Sequence, residues 1–140
     1  TARTDVMFGE SGYLYVYFTY GMHYCLNVVT GESGIGAGVL IRAGEPLTGI
    51  DSLQANRMLN GKPKQLVDLT NGPAKLAQAL GITRDYNGHD LRQEPIKLIS
   101  RPAISPASII TTTRVGISRD VDRPWRFYIK DNPYVSKPWV

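Results

Sequence analysis

The sequence has 140 residues, 42% hydrophobic and 20% charged, which suits one folded domain with its own core and excludes a disordered chain. No run approaches the roughly 18 apolar residues of a membrane span, no basic leader with an apolar run opens the sequence, and a single cysteine, Cys25, excludes an internal disulfide or a zinc cage. Sixteen Lys and Arg against 12 Asp and Glu leave a net charge of +4, and ten of the sixteen are Arg, a balance that hints at a polyanionic partner and suits bidentate contacts.

Residues 1–11 are polar and contain glycine, so they read as a loop. Residues 13–19 are aromatic and β-branched and read as a strand, with Tyr13, Tyr15 and Tyr17 on one face and Leu14, Val16 and Phe18 on the other. Tyr20-Gly21-Met22 is a turn, and His23 to Val29 is the returning strand, so 13–29 forms a β-hairpin. Residues 30–36 hold three glycines in neither a dinucleotide nor a phosphate-loop pattern, and read as a connection. Ala37 to Ala43 is a third strand, with Leu40 and Arg42 on one face, ended by Pro46. Residues 51–59 suit a helix capped by Asp51 or Ser52. A second helix starts at Gly72-Pro73, where the first turn tolerates a missing N–H, and stops at Gly81. Asn87-Gly88 is a turn, and 96–99, 109–117 and 125–130 read as strands. Strands, a small helical block at 50–81, then strands predict a single α+β domain over 1–140 with a mainly antiparallel, curved β-sheet.

Three constellations carry chemistry. The tyrosine face ends in Tyr20 at a hairpin tip, where an aromatic can wedge into a base stack, although tyrosines at this spacing also serve as core. Arg42 and Glu45 follow an apolar strand, so the arginine holds an anion, orients a water or forms a structural ion pair. Gly72-Pro73-Ala74-Lys75 offers free N–H groups beside a lysine, as an anion site or as an ordinary helix start. His23 and His89 lack metal-ligand spacing, and Cys25 reads as a core residue.

The run from Leu14 to Val28 and the block Val39-Leu40-Ile41-Arg42-Ala43-Gly44-Glu45-Pro46 resemble the alkyladenine DNA glycosylase family, also called methylpurine- or 3-methyladenine-DNA glycosylase. So do Gly72 to Leu76, Arg114-Val115-Gly116 and Arg126-Phe127-Tyr128-Ile129, in the same order. The resemblance implies a DNA repair enzyme that binds double-stranded DNA, flips out alkylated or deaminated purines and hydrolyses their N-glycosidic bond. The resemblance also implies a monofunctional enzyme, with water as nucleophile. No cofactor, metal or membrane is implied, and a monomer in the cytoplasm, nucleoid or nucleus fits the family's habit.

Carried over position by position, the resemblance makes Tyr20 the intercalating side chain and Tyr17, Asn27 and Leu40 the base pocket. Asn27 would crowd the exocyclic amino group of guanine, a clash that adds selectivity to the resistance of normal pairs to extrusion. Arg42 and the Val115 carbonyl would hold the attacking water, Met22 and His23 would touch the minor groove, and Lys75 and Arg84 would meet phosphates. The family's general base is a glutamate in a Glu-Ala-Tyr motif upstream of the segment that Thr1-Ala2-Arg3 matches, and Glu10, Glu32 and Glu45 do not match it. The chain therefore resembles the C-terminal two-thirds of such a glycosylase. Inactivity of the 140 residues alone is expected, and a non-catalytic module that binds DNA lesions is the alternative.

Overall fold

A computed structural model describes residues 1–58 and 65–136. Strands β1 (Leu14–Thr19), β2 (His23–Thr30) and β3 (Ala37–Leu40) form an antiparallel sheet in that order. Helices α1 (Ile50–Arg57) and α2 (Pro73–Ala79) follow. Strands β4 (Ile109–Thr112) and β5 (Arg126–Ile129) make a second antiparallel sheet. The fold is α+β, as the sequence predicts, but with two small sheets in place of one.

The β1–β2 hairpin closes through a tight turn in which the Met22 N–H donates to the Thr19 carbonyl at 3.2 Å. Both central residues take positive φ, 53° at Tyr20 and 66° at Gly21. That is the primed turn whose twist matches the flanking strands. Its register pairs Leu14 with Val28, Val16 with Leu26 and Phe18 with Tyr24. Leu14, Val16 and Leu26 from this face meet Leu76 and Ala77 of α2, with Ile82 and Leu91, to form the core. The outer edge of β1 is not left open. Asn87 Oδ1 accepts from the Val16 N–H at 3.0 Å, and Leu14 exchanges backbone bonds with Gly88 and His89 at 2.8 Å each. An edge covered in this way cannot template another strand.

Helix α2 begins and ends where its sequence directs. Pro73 takes the first helical position, and Gly81 adopts φ 67° beyond the last turn. The Ile82 N–H reaches back to the Ala77 carbonyl at 2.8 Å and that of Gly81 to Gln78 at 3.0 Å, which satisfies the last carbonyls. Helix α1 differs from expectation. It starts at Ile50 behind Gly49 at φ 69°, with no side-chain cap, so Asp51 and Ser52 lie inside the first turn. There the Asp51 carboxylate faces the positive end of the helix dipole. Residue 59 of the expected helix lies outside the described residues.

Four expected strands are shorter or missing. The third strand ends at Leu40, not Ala43: the Ile41 N–H still bonds the Leu26 carbonyl at 3.1 Å, and then the chain leaves the sheet. The span 109–117 is strand only over Ile109–Thr112, and 125–130 only over Arg126–Ile129, because each needs the other as its partner. Residues 96–99 form no strand. Leu98 and Ile99 are 64% and 66% exposed, and the Leu98 N–H bonds the Leu91 carbonyl, which belongs to no strand.

Leu14 is 1% exposed at the centre of the core. Leu14→Ala should lower unfolding free energy by about 2–5 kcal/mol, the range for deleting a buried leucine side chain. The midpoint of urea unfolding reads this, with an unchanged slope.

Candidate nucleic-acid interface and base pocket

The face of the hairpin turned away from α2 holds the expected pocket residues. Register pairs Tyr15 with Asn27, Tyr17 with Cys25, and Asn27 in turn with Leu40 of β3. Because side chains alternate, these five residues share one face. The structure thus brings the three expected pocket residues, Tyr17, Asn27 and Leu40, together. The Tyr15 and Tyr17 rings lie 5.8 Å apart. Asn27 is buried, and its Nδ2 donates to the Tyr15 carbonyl at 3.2 Å, so its amide is held in one orientation. Tyr17 is half-buried and shares a hydrogen bond with Cys25; burial first, and then the neighbouring thiol, push its phenol up to about 12. Burial likewise pushes the Cys25 thiol up, against the opposing pull of the Tyr17 hydrogen bond and the Arg42 charge. Cys25 therefore sits on the pocket face and not among the side chains packed on α2.

Arg42 lies just past the end of β3, within electrostatic reach of Tyr17 and Cys25. Glu45 is exposed, and no ion pair joins it to Arg42 among the described residues, which removes the structural ion pair as an explanation. Instead Arg42 Nε donates to Ser136 Oγ at 3.1 Å. The Ser136 carbonyl accepts from Arg126 Nη2 at 2.7 Å. Burial first, and then the nearby Arg126 charge, weaken the hold of Arg42 on its proton. Sequence reasoning missed Ser136 and Arg126. A lone serine 94 residues from its partner gives no local signal, and only the charge of Arg126 within an apolar strand pattern could have flagged it.

The remaining expected residues lie on other parts of the chain. Tyr20 stands at the hairpin tip, 84% exposed, with Met22 at 68% beside it. A groove of about 230 Å³ separates the tip from α2, lined by Met22, His23, Tyr24, Ala74, Gln78 and Thr83 among others. Lys75 lies in α2 with its Nζ donating to Asn71 Oδ1 at 2.8 Å, and Arg84 is exposed in a single helical turn, Arg84–Tyr86. Val115 is half-buried in the loop that joins β4 to β5. In the same loop, Arg114 and Arg123 place their guanidinium carbons 5.2 and 5.5 Å from the centre of the Trp125 ring.

Over residues 1–133 the sequence matches the family described as Methylpurine-DNA glycosylase (MPG). The chain belongs to the methylpurine-DNA glycosylase family. It is 49% identical to a Francisella tularensis protein named "Putative 3-methyladenine DNA glycosylase", over 98% of this chain and 70% of that protein. Proteins of the same name from Carboxydothermus hydrogenoformans and Methanoculleus marisnigri are 51% and 49% identical, each over 98% of this chain and 70% and 71% of their own lengths.

In this member of the methylpurine-DNA glycosylase family, the hairpin tip stores backbone strain. Tyr20 holds φ 53°, a conformation that costs a non-glycine residue roughly 1–2 kcal/mol. Asn-Gly is the preferred pair for this turn. Tyr20→Asn should therefore raise stability by roughly 1 kcal/mol in urea unfolding, although it removes an aromatic ring. The pocket also predicts an alkaline signature. Folding raises the Tyr17 pKa from 10.0 to about 12, so the folded chain holds that proton more tightly than the unfolded chain. Stability should fall as pH rises through that window and level off above it. Cys25 adds a fall that begins near its ordinary value of 9.0. Tyr17→Phe should flatten the decline above pH 10, read as the urea midpoint against pH.

Proposed function

We propose that this chain recognises alkylated or deaminated purines in double-stranded DNA, turns them out of the stack and takes part in hydrolysing their N-glycosidic bond. The observation that carries the reading is one sheet face holding Tyr17, Asn27 and Leu40 beside Arg42, with Tyr20 exposed at the tip of the same hairpin. Tyr20 enters the duplex from the minor groove and fills the gap left by the flipped nucleotide. Met22 and His23 meet the groove walls. An alkylated purine is electron-poor and often cationic, so the Tyr17 ring attracts it beyond simple stacking. The Asn27 amide, held by the Tyr15 carbonyl, stands where the amino group of guanine would intrude. Lys75, Arg84 and the wider basic surplus hold phosphates.

For the chemical step, Arg42 and the Val115 carbonyl orient a water beneath the sugar. A guanidinium stays protonated at neutral pH and cannot take the water's proton. No carboxylate among the described residues acts on Arg42. The proton therefore passes to a carboxylate, the glutamate that the family carries in its Glu-Ala-Tyr motif, and the purine leaves as the water oxygen bonds to the sugar carbon. The enzyme acts as a monomer, without cofactor and without a Schiff base. A second reading is a module that binds lesions without cutting them.

Base release under single-turnover conditions separates the two. The full-length gene product should free hypoxanthine or 3-methyladenine from duplex DNA, while the 140 residues alone should free neither, because general-base help is worth about 10²–10⁴-fold. Lesion binding without release by the full-length product would leave the binding module, and robust release by the 140 residues would place the base elsewhere. Tyr20→Ala should weaken binding to an abasic-site duplex by about 1–3 kcal/mol at fixed salt. Affinity should also fall with rising salt, and Lys75→Ala should reduce the slope of log K against log salt by about 1.

A further inference from the structure

Two buried or half-buried guanidinium groups converge on one serine. Arg126 and Ser136 are each 4% exposed. Arg126 opens β5, opposite Thr112 of β4, and its guanidinium lies 5.1 Å from the centre of the Tyr128 ring. From there Nη2 holds the Ser136 carbonyl at 2.7 Å, and the Ser136 hydroxyl accepts from Arg42 Nε at 3.1 Å. The path runs from the second sheet, through one residue, to the arginine beside the pocket of the first sheet. Stability alone does not favour it. Like charges brought together out of water cost free energy, and among the described residues the Nη1 of Arg126 is buried without a hydrogen-bond partner. With Nε engaged, Arg42 keeps both Nη groups free of side-chain hydrogen bonds among the described residues.

We propose that Ser136, itself held by Arg126, is a positioning residue that fixes Arg42 for its work on the attacking water. The proposal rests on the reading of Arg42 given above. A guanidinium anchored through Nε has lost its main freedom of rotation, so its two Nη groups present a fixed fork. Residues that orient a working side chain in this way commonly cost about 10–100-fold in activity when removed.

The test measures single-turnover release of hypoxanthine by the full-length gene product and its affinity for an abasic-site duplex. Ser136→Ala should slow release about 10–100-fold and leave duplex affinity within about two-fold. In an Arg42→Ala background, Ser136→Ala should have no further effect, because its influence passes through Arg42. A merely structural serine would instead slow release in both backgrounds, and that additive outcome overturns the proposal. Should Ser136→Ala fail to fold, Ser136→Thr and Ser136→Val, alike in shape, give the same comparison, with release kept only by the hydroxyl. If Arg42→Ala slows release and removal of the hydroxyl does not, the positioning role is wrong while the reading of Arg42 stands. If Arg42→Ala leaves release unchanged, the reading itself fails, and the proposal with it.

Discussion

Because side chains alternate along a strand, the register that sets Tyr17 against Cys25 and Val16 against Leu26 commits the hairpin to two different jobs at once. One set of alternating residues is apolar and closes on α2. The other set is aromatic and polar and forms the pocket face. A slip of one residue would exchange the two sets, exposing Leu14, Val16 and Leu26 while burying Asn27 in the core. The core therefore protects the site: burial of Leu14 and Leu26 against Leu76 is what holds Tyr17, Asn27 and Leu40 on a common face. The segment around Asn87 completes this by occupying the outer edge of β1.

The pocket face and the neighbouring second sheet hold groups that the rest of the fold would not select for stability. Asn27 is a buried amide, Arg126 a buried cation, and Cys25 a buried thiol beside a phenol. Each has a local compensation, and the compensation restricts motion. Asn27 is tied to a strand carbonyl and Arg126 to the carbonyl of Ser136. The raised thiol pKa makes Cys25 an unreactive neighbour, which leaves Arg42 as the charged group of the pocket face.

The hairpin tip follows a different logic. Its turn type demands positive φ at both central positions, and glycine meets that demand only at the second. A tyrosine at the first is a local conflict with the best turn sequence, and it is also the most exposed of the large hydrophobic residues described. Conflicts of this kind concentrate where a side chain serves a partner and not its own fold. The short, hydrogen-bonded turn gives that exposed ring a rigid base, which a long loop would not.

The sequence alone was sufficient for the hairpin, its tip, the second helix with its proline start and glycine stop, and the α+β class. All of these rest on signals within a few residues: alternation, φ permissiveness and capping. The same local signals misled at 96–99, where apolar residues lack a neighbouring strand and remain exposed, and at 41–43, where β propensity continues after the pairing stops. They also suggested caps at Asp51 and Ser52 where a left-handed glycine opens the helix. The family blocks marked the positions of Tyr17, Asn27, Leu40 and Arg42, yet only the register put the first three on one face. The attachment of Arg42 was decided by tertiary structure alone, because a hydrogen bond between residues 94 apart leaves no trace in either neighbourhood until the two sheets bring them within 3.1 Å.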